Sequence, residues 1–144
     1  MPIVDVMNLR LVSIGPEATA GEAARKMVEA GVGSIAVCTG ARLAGIFTER
    51  DVLRLAAEGT NLDEIAVGDV MTTELVTVSG EDDIVAAARL MGERKIRHLP
   101  VVEGENLLGI VGIRDVLGSL AERLWSTHDE QARETVHELL ARRS

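Results

Sequence analysis

The sequence predicts a mixed α+β (α/β) fold built from two copies of one strand-helix-strand-strand-helix unit, followed by a C-terminal helix. The first observation is internal duplication. Shifting the chain by 64 places without a gap lays Gly45-Ile46-Phe47-Thr48-Glu49-Arg50-Asp51 on Gly109-Ile110-Val111-Gly112-Ile113-Arg114-Asp115, Asp5-Val6-Met7 on Asp69-Val70-Met71, and Ala23-Ala24-Arg25 on Ala87-Ala88-Arg89. The second is periodicity: short apolar runs alternate with stretches of helical spacing, in the same order in both copies. The third is length. At 144 residues the chain holds one compact domain or two small repeats sharing a core. Separate units of about 60 residues would each be marginal, so the copies are expected to pack on each other.

The expected elements follow in order. Residues 11–14 read as a strand after a short lead. Pro16 and the box Thr19-x-x-Glu22 then open a helix carrying Ala23, Ala24, Met27 and Val28, closed by Gly31. Residues 34–38 are nearly all apolar, which implies a strand covered on both faces. Gly40 turns the chain into a strand over 43–48 and a helix over 49–58, which Gly59 ends. These residues, 1–58, form repeat 1. The connector 59–68 has Asn61 or Thr60 available to cap one helical turn. Repeat 2 spans 69–122: strand 75–78, a helix over 83–93 with Asp82 and Asp83 at its positive end, strand 99–102, a turn at Gly104, strand 107–113, and a helix over 115–125. In the tail, 123–144, Thr127-x-x-Glu130 signals a fresh helix with Ala132, Val136, Leu139 and Leu140 on one stripe and Arg142 and Arg143 at its end. That stripe either lies back on the domain or joins a second subunit.

Net charge is −8, which argues against general affinity for nucleic acid or anionic membrane. Phe47 and Trp125 are the only aromatics, too few for base-stacking platforms. No basic segment precedes an apolar run at the N-terminus, and no stretch approaches the ~18 apolar residues of a membrane span. The reading is a soluble, cytoplasmic protein. Cys38 stands alone in an apolar run, so it reads as a small buried hydrophobe rather than a nucleophile.

The repeated heptapeptide is where chemistry is expected. A strand running into a helix start presents free N–H groups and the positive end of a helix dipole, which suits an anion. The same residues also fit a capping box, Thr48-x-x-Asp51, whose hydroxyl and carboxylate satisfy those N–H groups from within. Arg50 and Arg114 sit where the dipole disfavours a purely structural arginine. Repeat 2 adds a basic run, Arg94-Lys95-Ile96-Arg97-His98, in place of Ala30-Gly31-Val32-Gly33-Ser34. Arg94 and Lys95 suit a helix C-terminus.

The two Gly-apolar-x-x-x-Arg-Asp junctions, the two Asp-Val-Met entries and Ile96-Arg97-His98-Leu99-Pro100-Val101-Val102 together resemble a tandem pair of cystathionine beta-synthase (CBS) domains, over residues 1 to about 122. The resemblance implies repeats packed about a pseudo-twofold axis, a cleft with two related ligand sites, and frequent dimerisation into a disc. Such pairs commonly bind AMP, ADP or ATP, the last with magnesium in some cases, and sometimes adenosylmethionine. Carried onto this chain, the family signature assigns Thr48 and Asp51 to ribose in one site and Asp115 in the other. Gly112 departs from it, occupying the hydroxyl position. Arg97 and His98 stand where the family often reaches phosphates, and with Arg50 and Arg114 they are the expected phosphate contacts. Base recognition would fall to Ser13 and Ile14, with Val12, and to Thr77 and Val78, with Val76, while Ile35 and Pro100 line the pocket. For the apolar members plain core packing is the alternative.

The expected function is a regulatory module that binds an adenine nucleotide and signals to an unidentified partner protein or through its own homodimer. Two alternatives stand beside it: an interaction module whose cleft is empty, or a binder of another adenosyl ligand such as adenosylmethionine or NADH. An enzyme is not expected. Of three histidines, His128 and His137 lie in the tail and only His98 in a repeat, and no metal-ligand spacing, nucleophile elbow or Walker-type loop is present.

Overall fold

The structure is a computed structural model that describes residues 1–5, 11–127 and 130–141. Six strands and six α-helices are found among the described residues, a mixed α/β fold. The chain divides into two compact units.

One unit comprises Arg10–Val76 with Gly104–Leu107. Strand β1 is Ser13–Ile14, helix α1 is Ala20–Ala30, β2 is Ser34–Thr39, β3 is Arg42–Thr48, α2 is Glu49–Ala57 and α3 is Val67–Val70. Helix α1 starts because the Thr19 hydroxyl accepts the Glu22 N–H at 3.0 Å. It stops because Gly31 turns left-handed, at φ 67°, and returns its N–H to the carbonyls of Met27 and Val28. Its buried face is Ala20, Gly21, Ala23 and Met27, while Val28 points to solvent. Strand β2 pairs in parallel with β1, Ser13 opposite Ala36, and antiparallel with β3, Ile35 opposite Phe47. With neighbours on both edges and cover on both faces, β2 buries five of its six residues. Its Ile35 and Val37 cluster with Phe47, Met27, Leu55 and Val67 in the core of this unit. Strand β3 also takes the segment 105–107, through Leu43 N–H to Glu105 O at 3.2 Å and Leu107 N–H to Ala41 O at 3.1 Å. In the connector, Asn61 caps a 3-10 turn, Leu62–Glu64, as its side chain accepts the Asp63 N–H at 3.1 Å.

The other unit comprises Met1–Leu9, Thr77–Glu103 and Leu108–Ser144. It holds β4 (Val78–Ser79), α4 (Ile84–Arg94), β5 (His98–Glu103), β6 (Asn106–Gly112, from residue 108 onward), α5 (Ile113–Thr127) and α6 (Glu130–Ala141). Val78 pairs with Val101 in parallel, as Ile14 does with Val37. Ile84, Val85, Ala88, Met91, Leu99, Val101, Val111 and Leu120 are fully buried or nearly so. Helix α6 packs on α4 and α5, with Val136 and Leu139 of its stripe half-buried and Leu140 exposed.

Several boundaries differ from the sequence reading. The expected strand 11–14 shrinks to Ser13–Ile14, and of the expected strand 75–78 only Val78 is in a strand, continued by Ser79; each pairs along one edge only. Helix α3 was not expected: its N-cap, Ala66, offers no side-chain bond, so nothing polar announces it. Asp83 is the N-cap of α4 rather than its first residue, accepting the Val85 N–H at 3.2 Å. Helix α5 begins two residues before the expected 115, at Ile113. Thr127, read as the opening of the last helix, is the final residue of α5. Val6, Met7, His128, Arg142 and Arg143 lie outside the described residues. Cys38 is buried, and desolvation pushes its thiol pKa up, in line with an inert packing role.

Candidate functional site

Each unit carries one copy of the strand-to-helix junction, and the local backbone is the same in both. Glu49 N–H donates to Gly33 O at 3.0 Å, and Ile113 N–H donates to Arg97 O at 2.8 Å, the same bond 64 residues on. The first residue of each helix is thereby tied to the residue just before the first strand of the hairpin that leads into it, β2 for α2 and β5 for α5. The carboxylate of the helix's first turn is left over the strand's end.

The two carboxylates are held differently. Asp51 is 9% exposed. Its Oδ2 accepts the Thr48 N–H at 2.9 Å and the Thr48 hydroxyl at 3.1 Å, while that hydroxyl accepts the Asp51 N–H at 3.3 Å. This is the capping box the sequence suggested, closed on both sides. The other oxygen, Oδ1, stands 3.5 Å from Arg54 Nη2. At the second junction Asp115 is exposed, and its Oδ2 accepts the Gly112 N–H over a longer 3.4 Å. Gly112 supplies no hydroxyl, so the backbone half of the cap survives and the side-chain half is missing.

The sequence-derived residues fall at these two places. Thr48, Arg50 and Asp51 head α2, with Arg50 exposed. Ser13 and Ile14 form β1, half-buried, and Ile35 is fully buried in the core of that unit. In the other unit, Arg114 and Asp115 form the first turn of α5, both exposed. Arg97 and His98 lie beside Gly112: a Cβ built there would sit 3.8 Å from His98 Cδ2 and 4.0 Å from Arg97 O. Thr77 is exposed, and Val78 and Pro100 are buried in or beside the strands.

At the head of α5 lies a groove of about 560 Å³, lined by Met1, Asp5, Arg114, Asp115, Gly118, Ser119 and Glu122. Its size is that of a small-molecule site. Ser119 and Glu122 were not singled out from sequence, although Asp115, Ser119 and Glu122 recur at i, i+4 and i+7, one face of a helix. Following the helix onward from Asp115 would have found them. The lining sets three carboxylates against one guanidinium, so it offers several acceptors for hydroxyl or amine donors and one cation for an anionic group. No group of metal-ligating side chains occurs among the described residues, and none of their helices is long and apolar enough to cross a membrane.

Comparison with known proteins shows the family. A CBS-domain protein from Pyrobaculum aerophilum, solved in complex with AMP, superposes with a TM-score of 0.76 at 27% identity, covering 85% of this chain and 99% of that one. CBS domain-containing protein YhcV of Bacillus subtilis is 36% identical over 115 residues, 79% of this chain and 81% of its own. A 33.4 kDa protein of Thermofilum pendens is 45% identical over 92 residues, 63% of this chain but 30% of that one, so there the matched part is a fraction of a longer protein. The family model for the CBS domain matches twice, over residues 3–58 and 67–122, and the chain belongs to the CBS domain family as a tandem pair.

Proposed function

We propose that this CBS pair is a non-catalytic regulatory module that binds an adenosine-containing small molecule, an adenine nucleotide such as AMP, and passes its occupancy to a partner protein or to its own homodimer. One observation carries the reading: an exposed carboxylate, Asp115, at the head of a 15-residue helix, beside Arg114 in a groove of about 560 Å³. A ribose has two vicinal hydroxyl donors, and a carboxylate held by one long backbone bond keeps acceptor capacity for both. Arg114 at the same helix start suits a phosphate, and Arg97 and His98 beside Gly112 supply further donors. Thr48, Arg50 and Asp51 take the corresponding roles at the other junction, with Ser13, Ile14, Ile35, Thr77, Val78 and Pro100 toward the base. The acidic lining favours few phosphates over many, since each added phosphate brings negative charge toward Asp5, Asp115 and Glu122. The AMP-bound relative supports the same choice.

Calorimetric titration with AMP tests this. Wild-type protein is expected to bind, and at 100 times its dissociation constant AMP should add about 2.7 kcal/mol of stability. Asp115→Ala removes a charge-assisted contact worth ~1.5–3 kcal/mol and should weaken binding about tenfold or more. Because Asp115 is exposed and makes one long bond, the ligand-free melting temperature should barely move. Unchanged AMP affinity in Asp115→Ala would remove the site assignment. No heat or thermal shift with AMP, ADP, ATP, NADH or adenosylmethionine would remove the function.

A further inference from the structure

The internal duplication sets two versions of one turn side by side. Helix α1 ends at Gly31, with φ 67° and ψ 35°, and α4 ends 64 residues later at Lys95, with φ 56° and ψ 42°. The bonds around the turn repeat as well: Val32 N–H donates to Met27 O at 3.0 Å, and Ile96 N–H to Met91 O at 3.0 Å. The residues do not repeat. Ala30-Gly31-Val32-Gly33 becomes Arg94-Lys95-Ile96-Arg97, so one backbone forms with no charge in one unit and with three cations in the other. The fold therefore does not require the cations. Lys95 is the one non-glycine residue with positive φ among the described residues, where a Cβ is crowded and a glycine is not. A cation suits the end of a helix dipole, but Arg94 in the last turn already supplies one. Arg97 lies beyond that helix and beside the positive head of α5, through the Ile113 N–H bond to its carbonyl at 2.8 Å. Helix capping thus accounts for one cation of the three.

The surroundings leave these charges available. Arg94, Lys95 and Arg97 are exposed, and the same Ile113 bond brings the backbone of exposed Arg114 next to that of Arg97. Glu93 and Asp115 are the carboxylates beside them in sequence, yet none of the four cations forms an ion pair with a described residue. Arg25, Arg42, Arg54 and Arg123 each stand within 4.0 Å of a carboxylate. Acids outnumber bases 23 to 15, so partners within the chain are not scarce. Cations gathered at one place and left unpaired in an acidic protein are complementary to an anionic partner. A nucleic acid backbone is commonly tracked by roughly 6–10 phosphate contacts, more than this cluster supplies, and the charge of −8 repels it elsewhere. Protein carboxylates are discrete, and an arginine fork or an ammonium meets them one at a time.

We propose that the turn 94–97, centred on Arg94 and Lys95, is the docking surface for an acidic segment of a partner protein. The turn is pinned before anything binds, since the Lys95 and Ile96 N–H groups both donate to Met91 O, and this holds the charges at a set spacing. Arg97 joins the surface to the head of α5, so a docked segment lies next to the carboxylate and guanidinium assigned to the ligand. This rests on the partner-protein part of the reading above and names the surface through which that partner is met.

Fluorescence anisotropy of a labelled oligoglutamate peptide with the full chain tests it, beside an oligothymidylate strand and phosphatidylserine vesicles. The peptide should bind at low ionic strength and be released by salt. Arg94→Ala and Lys95→Gly should each weaken it about two- to fivefold, and together about tenfold. Arg42→Ala removes the same charge elsewhere and should bind as wild type does. Lys95→Gly should at the same time raise the melting temperature by about 2–4 °C, because glycine relieves the left-handed turn. AMP affinity should be unchanged in Arg94→Ala and Lys95→Gly. No salt-sensitive peptide binding, or an equal loss in Arg42→Ala, overturns the surface and leaves AMP binding standing. Tighter binding of the oligothymidylate or the vesicles than of the peptide overturns the acidic protein partner. A lower melting temperature in Lys95→Gly would show that the lysine serves the turn, and a weaker AMP affinity that it serves the ligand; either overturns the docking role. Failure of wild-type protein to bind AMP, with the peptide still bound, removes the ligand reading alone.

Discussion

Replacing Gly112 with threonine would restore in the second junction the residue that the first one has, and the structure sets the size of the effect. Gly112 does not have a positive φ, so a side chain brings no backbone strain. A Cβ there would meet Asp115 Oδ2 at 3.7 Å, His98 Cδ2 at 3.8 Å and Arg97 O at 4.0 Å, all ordinary van der Waals contacts. Two terms then favour the variant. Removing a glycine restricts the unfolded chain and stabilises by about 0.4–1 kcal/mol. A threonine cap over a glycine cap adds a few tenths at most. The sum, roughly 0.5–1 kcal/mol, should raise the melting temperature by about 2–4 °C. Thermal unfolding followed by circular dichroism reads this directly, with Gly112→Ala isolating the entropic part. The added hydroxyl should also tighten AMP roughly two- to tenfold, the worth of one hydrogen bond. A lower melting temperature in both variants would refute the reasoning, because it would mean that the space beside His98 and Asp115 is not available to a side chain.

Other expectations follow from the same geometry. Asp51→Ala removes the acceptor of two Thr48 bonds and the Arg54 contact, so urea unfolding should show a loss of about 1–2 kcal/mol; a neutral result would mean the box contributes nothing to α2. Gly45→Ala should destabilise by ~1–3 kcal/mol, since its Cβ would sit 2.8 Å from Met71 Cγ and 3.0 Å from Thr72 O. Gly118→Ala, with nothing within 4 Å and a helix interior around it, should stabilise by up to ~1 kcal/mol, and equal effects at the two glycines would contradict these packing distances. For Cys38, burial raises the thiol pKa above its ordinary 9.0, so the folded state holds the proton longer than the unfolded one. The associated stability is complete below the free-thiol value and declines as pH rises through it toward the folded value. Cys38→Ala should remove that part of the alkaline slope, and thiol labelling of the native protein should be slow until it unfolds.

Side chains that act locally announce themselves: Thr19, Thr48 and Asn61 cap where a hydroxyl or amide precedes a helix, and Gly31, Gly40, Gly59 and Gly104 turn left-handed where turns were read. Elements decided by distant neighbours did not. Leu53 and Leu117 occupy one position of one repeated pattern, yet their exposure differs because of what packs above them, and no local rule carries that information. Helix α3 has no cap to declare it, and β1 is shorter than its apolar run while β4 takes only the last residue of its run and continues to Ser79, because an apolar run does not say which residues find a partner.

The junctions explain why the copies diverge where they do. The cap of each helix runs through a backbone N–H, Thr48 to Asp51 at 2.9 Å and Gly112 to Asp115 at 3.4 Å. That bond needs the carboxylate but not the residue that supplies the N–H. Losing the hydroxyl therefore leaves the fold of the second repeat in place and, under the proposed function, alters chiefly what its carboxylate would offer a ligand. Asp51, buried beneath its threonine, serves the helix first, while Asp115 beside a glycine stands in the open at the edge of a groove. The duplication supplied two copies of one helix start, and one glycine was enough to leave them unequal.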